Sequence, residues 1–234
     1  MKLLFPQATH TFNDFFIEMM NQSLINSFLD QAFESYEMDN IDEVVMVLLE
    51  NPVVENFLNA YLKNSTLISK FKLIVLKKET SGSICTSLMA ISHLKNEPVI
   101  ISALDQLFLD KIIKHTELIS ENSSFDIIAP IHYSDDDTLS YALKDEDHNV
   151  IQLFEKKVVS NDALLGVYLI KNFSDFLKHC HDLLIKYKGF KNRVFFTSDV
   201  INSFIAKSYV CHFPSLNVRY NKIRSLKDFK NIYG

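Results

Sequence analysis

Residues Glu43–Leu49 read EVVMVLL, with one charge at the start and none after it. A strand with no polar alternation has no face to give to water, so it must be covered on both sides. That requirement selects a sheet sandwiched between helices, and the next residues supply one. Val54, Phe57, Leu58, Tyr61 and Leu62 fall at helical spacing. The alternation recurs through the first half of the chain. Apolar runs predict strands at 1–5, Phe71–Leu76 and 98–103, a helix through Ile84, Leu88 and Ile91, and a helical stretch from about Phe108.

From Phe125 the rhythm changes. FDIIAPI, TLSYALK and NVIQLFEK read as strands with little helix between them, the pattern of an antiparallel meander. A further strand is expected at 164–170. Phe173, Phe176, Leu177, Cys180, Leu183, Leu184 and Tyr187 mark the clearest amphipathic helix, and helices are expected at 194–207 and 225–232. No Pro/Gly/Ser-rich linker, repeat or low-complexity segment divides the chain. The expectation is a single domain over 1–234: a three-layer α/β fold with a mixed, mostly parallel sheet of about seven strands. Helices cover both faces, and the meander is expected to add antiparallel strands at one edge.

Composition narrows the function classes. With 234 residues, 47% of them hydrophobic, the chain can bury a full core. A formal net charge of −5 and a pI near 5.9 give no basic stripe for a nucleic acid to bind. Cys85, Cys180 and Cys211 are odd in number and lack CxxC spacing, so a disulfide framework is not expected. The opening MKLLFPQATH is too short an apolar stretch for a signal peptide and is interrupted by Pro6. No apolar run approaches the roughly 18 residues of a membrane span. A soluble, cytoplasmic protein is the expectation.

One of only four glycines falls in ETSGSICTSL, residues 79–88, between a strand and a helix. Gly82 there reads either as a turn residue or as backbone that a ligand approaches closely. The order of motifs from this point resembles the sugar-nucleotide pyrophosphorylases, nucleotidyltransferases that join a sugar 1-phosphate to a nucleoside triphosphate and release pyrophosphate. Thr80, Gly82 and Thr86, then Asp105-Gln106 after a strand, match that family's T-x-G-x-x-x-T turn and acidic pair. Glu155, Lys156, Ser160, Gly166 and Tyr168 match its E-K-x-x-x-S-x-x-x-x-x-G-x-Y segment. FFTSDVINSFIAKS and IRSLKDF match its closing helices more loosely. The likeness covers 71–232 well and 1–70 in rhythm alone.

The resemblance implies a nucleotide or sugar nucleotide as ligand. It assigns Thr80 and Gly82 to the nucleotide, Asp105 to a Mg²⁺ ion, and Glu155, Lys156 and Gly166 to the sugar phosphate. Read from residue type alone, each has a second reading. Asp105 is equally a turn or cap carboxylate, Glu155-Lys156-Lys157 a solvated charge run, and Gly166 a close strand–helix contact.

The departures concern the triphosphate. In the family the first strand leads into a glycine-rich G-x-G-x-R loop; here residues 5–12 read FPQATHTF, with neither glycine nor arginine. The later Lys-Pro pair is replaced near Phe15-Phe16, the second metal-binding aspartate falls at or near Lys222, and the base-reading glutamine corresponds to Glu79. His10 is the one cationic candidate in the altered loop, and it reads first as exposed surface. No catalytic residue is assigned.

Other chemistry is weaker. His179-Cys180-His181 cannot converge on one metal ion from adjacent helix positions. Cys211-His212 lacks a third group to orient the base. Asp135-Asp136-Asp137 reads as a solvated turn, and Cys85, at a helix start, as packed or reactive. Two functions stand: an enzyme of activated-sugar metabolism for surface polysaccharide, with a rewired phosphate site, or a non-catalytic relative. The second would bind a sugar nucleotide or dock a partner enzyme, and a homo-oligomer is left open.

Overall fold

The computed structural model describes residues 1–36, 38–94, 97–110, 124–188, 193–223 and 225–233. The first half runs β1 (Lys2–Gln7), α1 (His10–Asn21), α2 (Ile25–Glu34), β2 (Glu43–Leu49), α3 (Pro52–Lys63), β3 (Phe71–Leu76), α4 (Ser83–Leu88), α5 (Ile91–Leu94), β4 (Val99–Ser102) and β5 (Gln106–Phe108). The second runs β6 (Ile127–Ile128), β7 (Ile131–Tyr133), β8 (Ser140–Lys144), β9 (Val150–Glu155), β10 (Asp162–Leu164), β11 (Val167–Ile170), α6 (Phe173–Lys186), α7 (Thr197–Ala206), β12 (Cys211–His212), β13 (Tyr220–Lys222) and α8 (Leu226–Tyr233).

The central sheet has seven strands in the order β12-β6-β11-β4-β1-β2-β3. β4, β1, β2 and β3 are parallel; β11 runs antiparallel to both β4 and β6. EVVMVLL does what its composition requires. Val44, Met46 and Leu48 enter one core with α1, α2 and α3, while Val45, Val47 and Leu49 enter the other with α4, α6 and α7. Leu3 and Phe5 against Leu4 split the same way. This is the expected mixed, mostly parallel, three-layer α/β fold.

Four local expectations are corrected. The apolar run 164–170 is two strands, because Gly166 takes φ +70° and turns the chain from one sheet into another. FDIIAPI also divides, between β6 in the central sheet and β7 in a separate antiparallel sheet of order β7-β10-β8-β9. The meander therefore builds its own small sheet instead of extending the edge of the large one. Phe108 ends a strand, not a helix, and 111–123 lie outside the described residues. The stretch 8–36, for which no helix was expected, holds α1 and α2, with Phe16 and Phe28 fully buried.

The His179-Cys180-His181 cluster does not converge on one point. His179 stacks on Phe204 at 3.9 Å, with its Nδ1 2.6 Å from Ser203 Oγ, while Cys180 packs in the core and His181 is exposed. Burial holds His132, His179 and His212 below the ordinary histidine range. The unfolded chain takes up those protons near pH 6.5 and the folded chain only at lower pH, so acid favours unfolding. Stability is therefore expected to be complete above about pH 6.5 and to fall as pH drops below it. Thermal melts at pH 7 and pH 5 check this; an equal or higher midpoint at pH 5 would refute it.

Candidate functional site

β1 and β2 stay paired to Gln7↔Leu48, but the β1–β4 ladder ends at Leu4↔Ile101. Beyond that point the two strands part. Pro6, which has no N–H to give a ladder, lies in the parted segment. The chain continues from β1 to one side of the sheet and from β4 to the other, so the gap sits at a topological switch point, beyond the carboxyl ends of parallel strands.

A cleft of about 220 Å³ fills this gap. Pro6 and Gln7 form one wall, Ser102, Asp105 and Gln106 a second, and Gly166 with Tyr168 a third. Thr138 to Ser140, Glu155, Phe196, Thr197 and Lys222 close it. A second hollow of about 180 Å³ adjoins it and shares Gln7 and Asp105. Each is smaller than the ~300–1,000 Å³ common for ligand sites, so a larger ligand would span both. A larger depression, about 640 Å³, lies elsewhere, beside Asp30, Glu34, Asp39 and Tyr61, and holds none of the expected site residues.

Three of the six expected site residues meet in the cleft: Asp105, Glu155 and Gly166. Glu155 Oε2 accepts from Ser198 Oγ at 3.0 Å and from Ser140 Oγ, which fixes the carboxylate at the end of β9. Burial, and then the nearby Glu155 charge, push the Tyr168 hydroxyl well above its ordinary range, so it stays protonated. Gly166 is held by Gln106, whose amide nitrogen donates to the carbonyls of Leu165 and Gly166 at 3.1 Å each. A Cβ at 166 would fall 2.0 Å from the terminal amide of Gln106 and face a φ of +70°. Gly166→Ala is expected to cost roughly 1–3 kcal/mol of stability through strain and the displaced amide. Denaturant titration checks it; an unchanged midpoint would refute it.

The other three sit outside the cleft lining. Thr80 turns back on its own loop, donating to Gly82 O at 3.1 Å and pairing with Thr86 Oγ1. Gly82 has φ +105° and faces protein: a Cβ would lie 2.4 Å from Phe195 O and 2.8 Å from Phe195 N. Its neighbours are tied to the same residue through Phe195 N to Ser81 O at 2.8 Å and Ile84 N to Phe195 O at 3.3 Å. Lys156 is exposed, with its ammonium 5.3 Å from the centre of the Phe196 ring. From the 79–88 loop it is Ser83 that reaches the cleft, 3.4 Å from Thr197 Oγ1.

The first turn of α1 is partly taken by the protein's own groups. Only Ala8 and Thr9 separate β1 from α1. Thr9 Oγ1 accepts from Phe12 N at 3.1 Å, and the Glu79 carboxylate accepts from His10 N. The positive end of α1 is thus occupied by a negative side chain of the protein itself. Phe15 and Phe16 are core residues, and His10 contributes its amide while its ring stays at the surface.

Magnesium does not suit the donors present. Among the described residues Asp105 and Glu155 are the only carboxylates lining the cleft, and Glu155 is engaged by two hydroxyls. Beside Asp105, on β13, stands Lys222. Among the described residues no group of three or more His, Cys, Asp or Glu could hold a metal ion. A hard divalent cation needs several oxygen ligands. The remaining thiols are also poor candidates for chemistry: burial raises Cys85, and pushes Cys211 up to about 12. All three cysteines are free.

Comparison with known proteins places the architecture. No protein-family model matches the sequence, and no match to a curated protein was found. Solved structures do match along nearly the whole chain. An apo UDP-glucose pyrophosphorylase superposes with a TM-score of 0.76 at 14% identity, over 98% of this chain and 95% of its own. A UDP-glucose pyrophosphorylase complexed with UDP-glucose gives 0.69 at 14% identity, over 98% and 96%. An inositol-1-phosphate CTP transferase from T. maritima gives 0.68 at 14% identity, over 97% and 90%. The chain has the fold of the sugar-nucleotide pyrophosphorylases and related nucleotidyltransferases. Among the described residues no helix is long and apolar enough to cross a membrane.

Proposed function

We propose that this protein, as one domain spanning 1–234, binds a nucleotide or sugar nucleotide in the cleft between β1 and β4 and does not carry out ordinary pyrophosphorylase turnover. The carrying observation is the Glu79 carboxylate on the first amide of α1. A nucleoside triphosphate brings several negative charges that amides, cations or metal must meet, and the start of α1 presents a carboxylate instead. Binding of a smaller charge remains supported by the cleft's position and by Glu155, set by Ser140 and Ser198 to accept from sugar hydroxyls. A cytoplasmic role in surface-polysaccharide assembly, capsule or lipopolysaccharide, is the setting this reading gives it.

Calorimetric titration with a panel of nucleoside diphosphate sugars tests the reading. Saturable binding at one site per chain is expected for at least one member, with Glu155→Gln weakening it. If the wild type binds none, the cleft is vestigial and docking of a partner enzyme replaces this function.

A further inference from the structure

Two polar side chains in the cleft lack the partners that comparable groups have elsewhere in the molecule. Among the described residues, the partly buried cations are otherwise all engaged. Lys2 and Lys144 pair with carboxylates, Arg193 with Asp199, Lys70 with the Met38 carbonyl, and Lys171 is also partnered. Lys222 is partly buried against the cleft and has no ion pair or hydrogen bond to its ammonium among the described residues. Gln7 is 8% exposed, lines both hollows, and has no side-chain hydrogen bond among the described residues. The polar atoms of both side chains open onto the cleft, so each can meet a ligand without first breaking a bond within the protein. Their convergence on one cavity describes a receptor for an anion that also accepts a hydrogen bond.

Their placement is fixed by the fold. Lys222 lies on β13 opposite Gln106 of β5, and the next residue, Ile223, donates its amide to the Asp105 carbonyl at 2.8 Å. Gln7 ends β1 just where that strand has left β4. The geometry points to Lys222 as the cation that meets the ligand's phosphate, with Gln7 as its amide partner, in a binding that needs no divalent ion. An ammonium supplies a compact point charge with three donors and is a natural phosphate partner. It also lowers the local demand for Mg²⁺, since it supplies positive charge beside Asp105. This rests on the reading of the cleft as a nucleotide-sugar site and specifies what neutralises the phosphate there.

Titration calorimetry of the full chain with UDP-glucose and with glucose 1-phosphate, each in EDTA and in excess magnesium, tests it. Wild-type affinity is expected to agree within about twofold between the two media. Lys222→Met is expected to weaken binding about 10- to 100-fold and Lys222→Arg to retain most of it, as for a charged hydrogen bond, and Gln7→Leu to weaken it about 2- to 10-fold. Melting curves of each variant separate lost contacts from lost fold, and if Lys222→Met does not fold the magnesium comparison on the wild type still decides. Binding that appears only with magnesium, or a folded Lys222→Met that binds like the wild type, overturns the inference and leaves the cleft assignment standing. Failure of the wild type to bind either probe in either medium overturns both.

Discussion

Mixed with nucleoside triphosphates and sugar 1-phosphates, the protein is expected to release pyrophosphate at least about a thousandfold below the ~1–1,000 s⁻¹ usual for enzymes. In nucleotidyl transfer the sugar-phosphate oxygen attacks the α-phosphorus while pyrophosphate leaves, and charge accumulates on the leaving group. Stabilising that charge is nearly all the protein can contribute. Here the strand-to-helix turn after β1 holds two residues, no glycine and no arginine. The first amide of α1 is already given to Glu79. Near the place of the Lys-Pro pair that the resemblance leads one to expect, Phe15 and Phe16 are packed in the core. Removal of one preorganised donor commonly costs about 10²–10³ in rate, and several are missing together. Glu79→Ala alone should not restore turnover, because it removes the repulsion and supplies no cation. Turnover in the ordinary range with any substrate pair would return the protein to the enzymes.

Gly82→Val is expected to destabilise the fold by at least about 2 kcal/mol. The atoms a Cβ would meet, at 2.4 and 2.8 Å, are backbone atoms of Phe195, and they are tied to Ser81 and Ile84 by hydrogen bonds. Unlike the Gln106 amide opposite Gly166, they cannot swing aside. A φ of +105° adds strain for any side chain. For a chain of this length that is a fall in Tm of several degrees. Gly82 is thus required by packing against residue 195, and its replacement acts on the fold. A Gly82→Val protein that melts like the wild type would contradict the structure at this loop.

What was legible in the sequence follows the physics of each element. EVVMVLL announced a doubly covered strand because seven residues without alternation leave no other solution. α6 was legible from its apolar stripe, with Asn172 capping it through Ser174 N at 3.0 Å. α1 was available too: Thr9 is a recognisable cap, and Phe12, Phe15, Phe16 and Met19 keep helical spacing. Reading FPQATHTF as a loop hides it. β12 and β13, two and three residues long, are too short to show any period.

The site divides along the same line. Asp105, Glu155 and Gly166 were singled out by their match to the family's motifs, and each falls at or beside the end of a strand. Thr80 and Gly82 share the right motif but serve their own turn, since nothing in residue type says whether a tight glycine faces ligand or protein. Gln7 carried a signal that went unused: an amide closing the apolar run of β1. Lys222 stood out only as a departure, because its place beside Asp105 depends on a strand pairing across more than a hundred residues.

Crystallography of the protein soaked with a nucleoside diphosphate sugar tests the central claim most directly. The account predicts intact ligand in the gap between the carboxyl ends of β1 and β4, with its sugar hydroxyls at Glu155 and its phosphate within reach of Lys222 and Gln7. Ligand bound elsewhere, such as the acidic depression beside Asp30 and Tyr61, would contradict it.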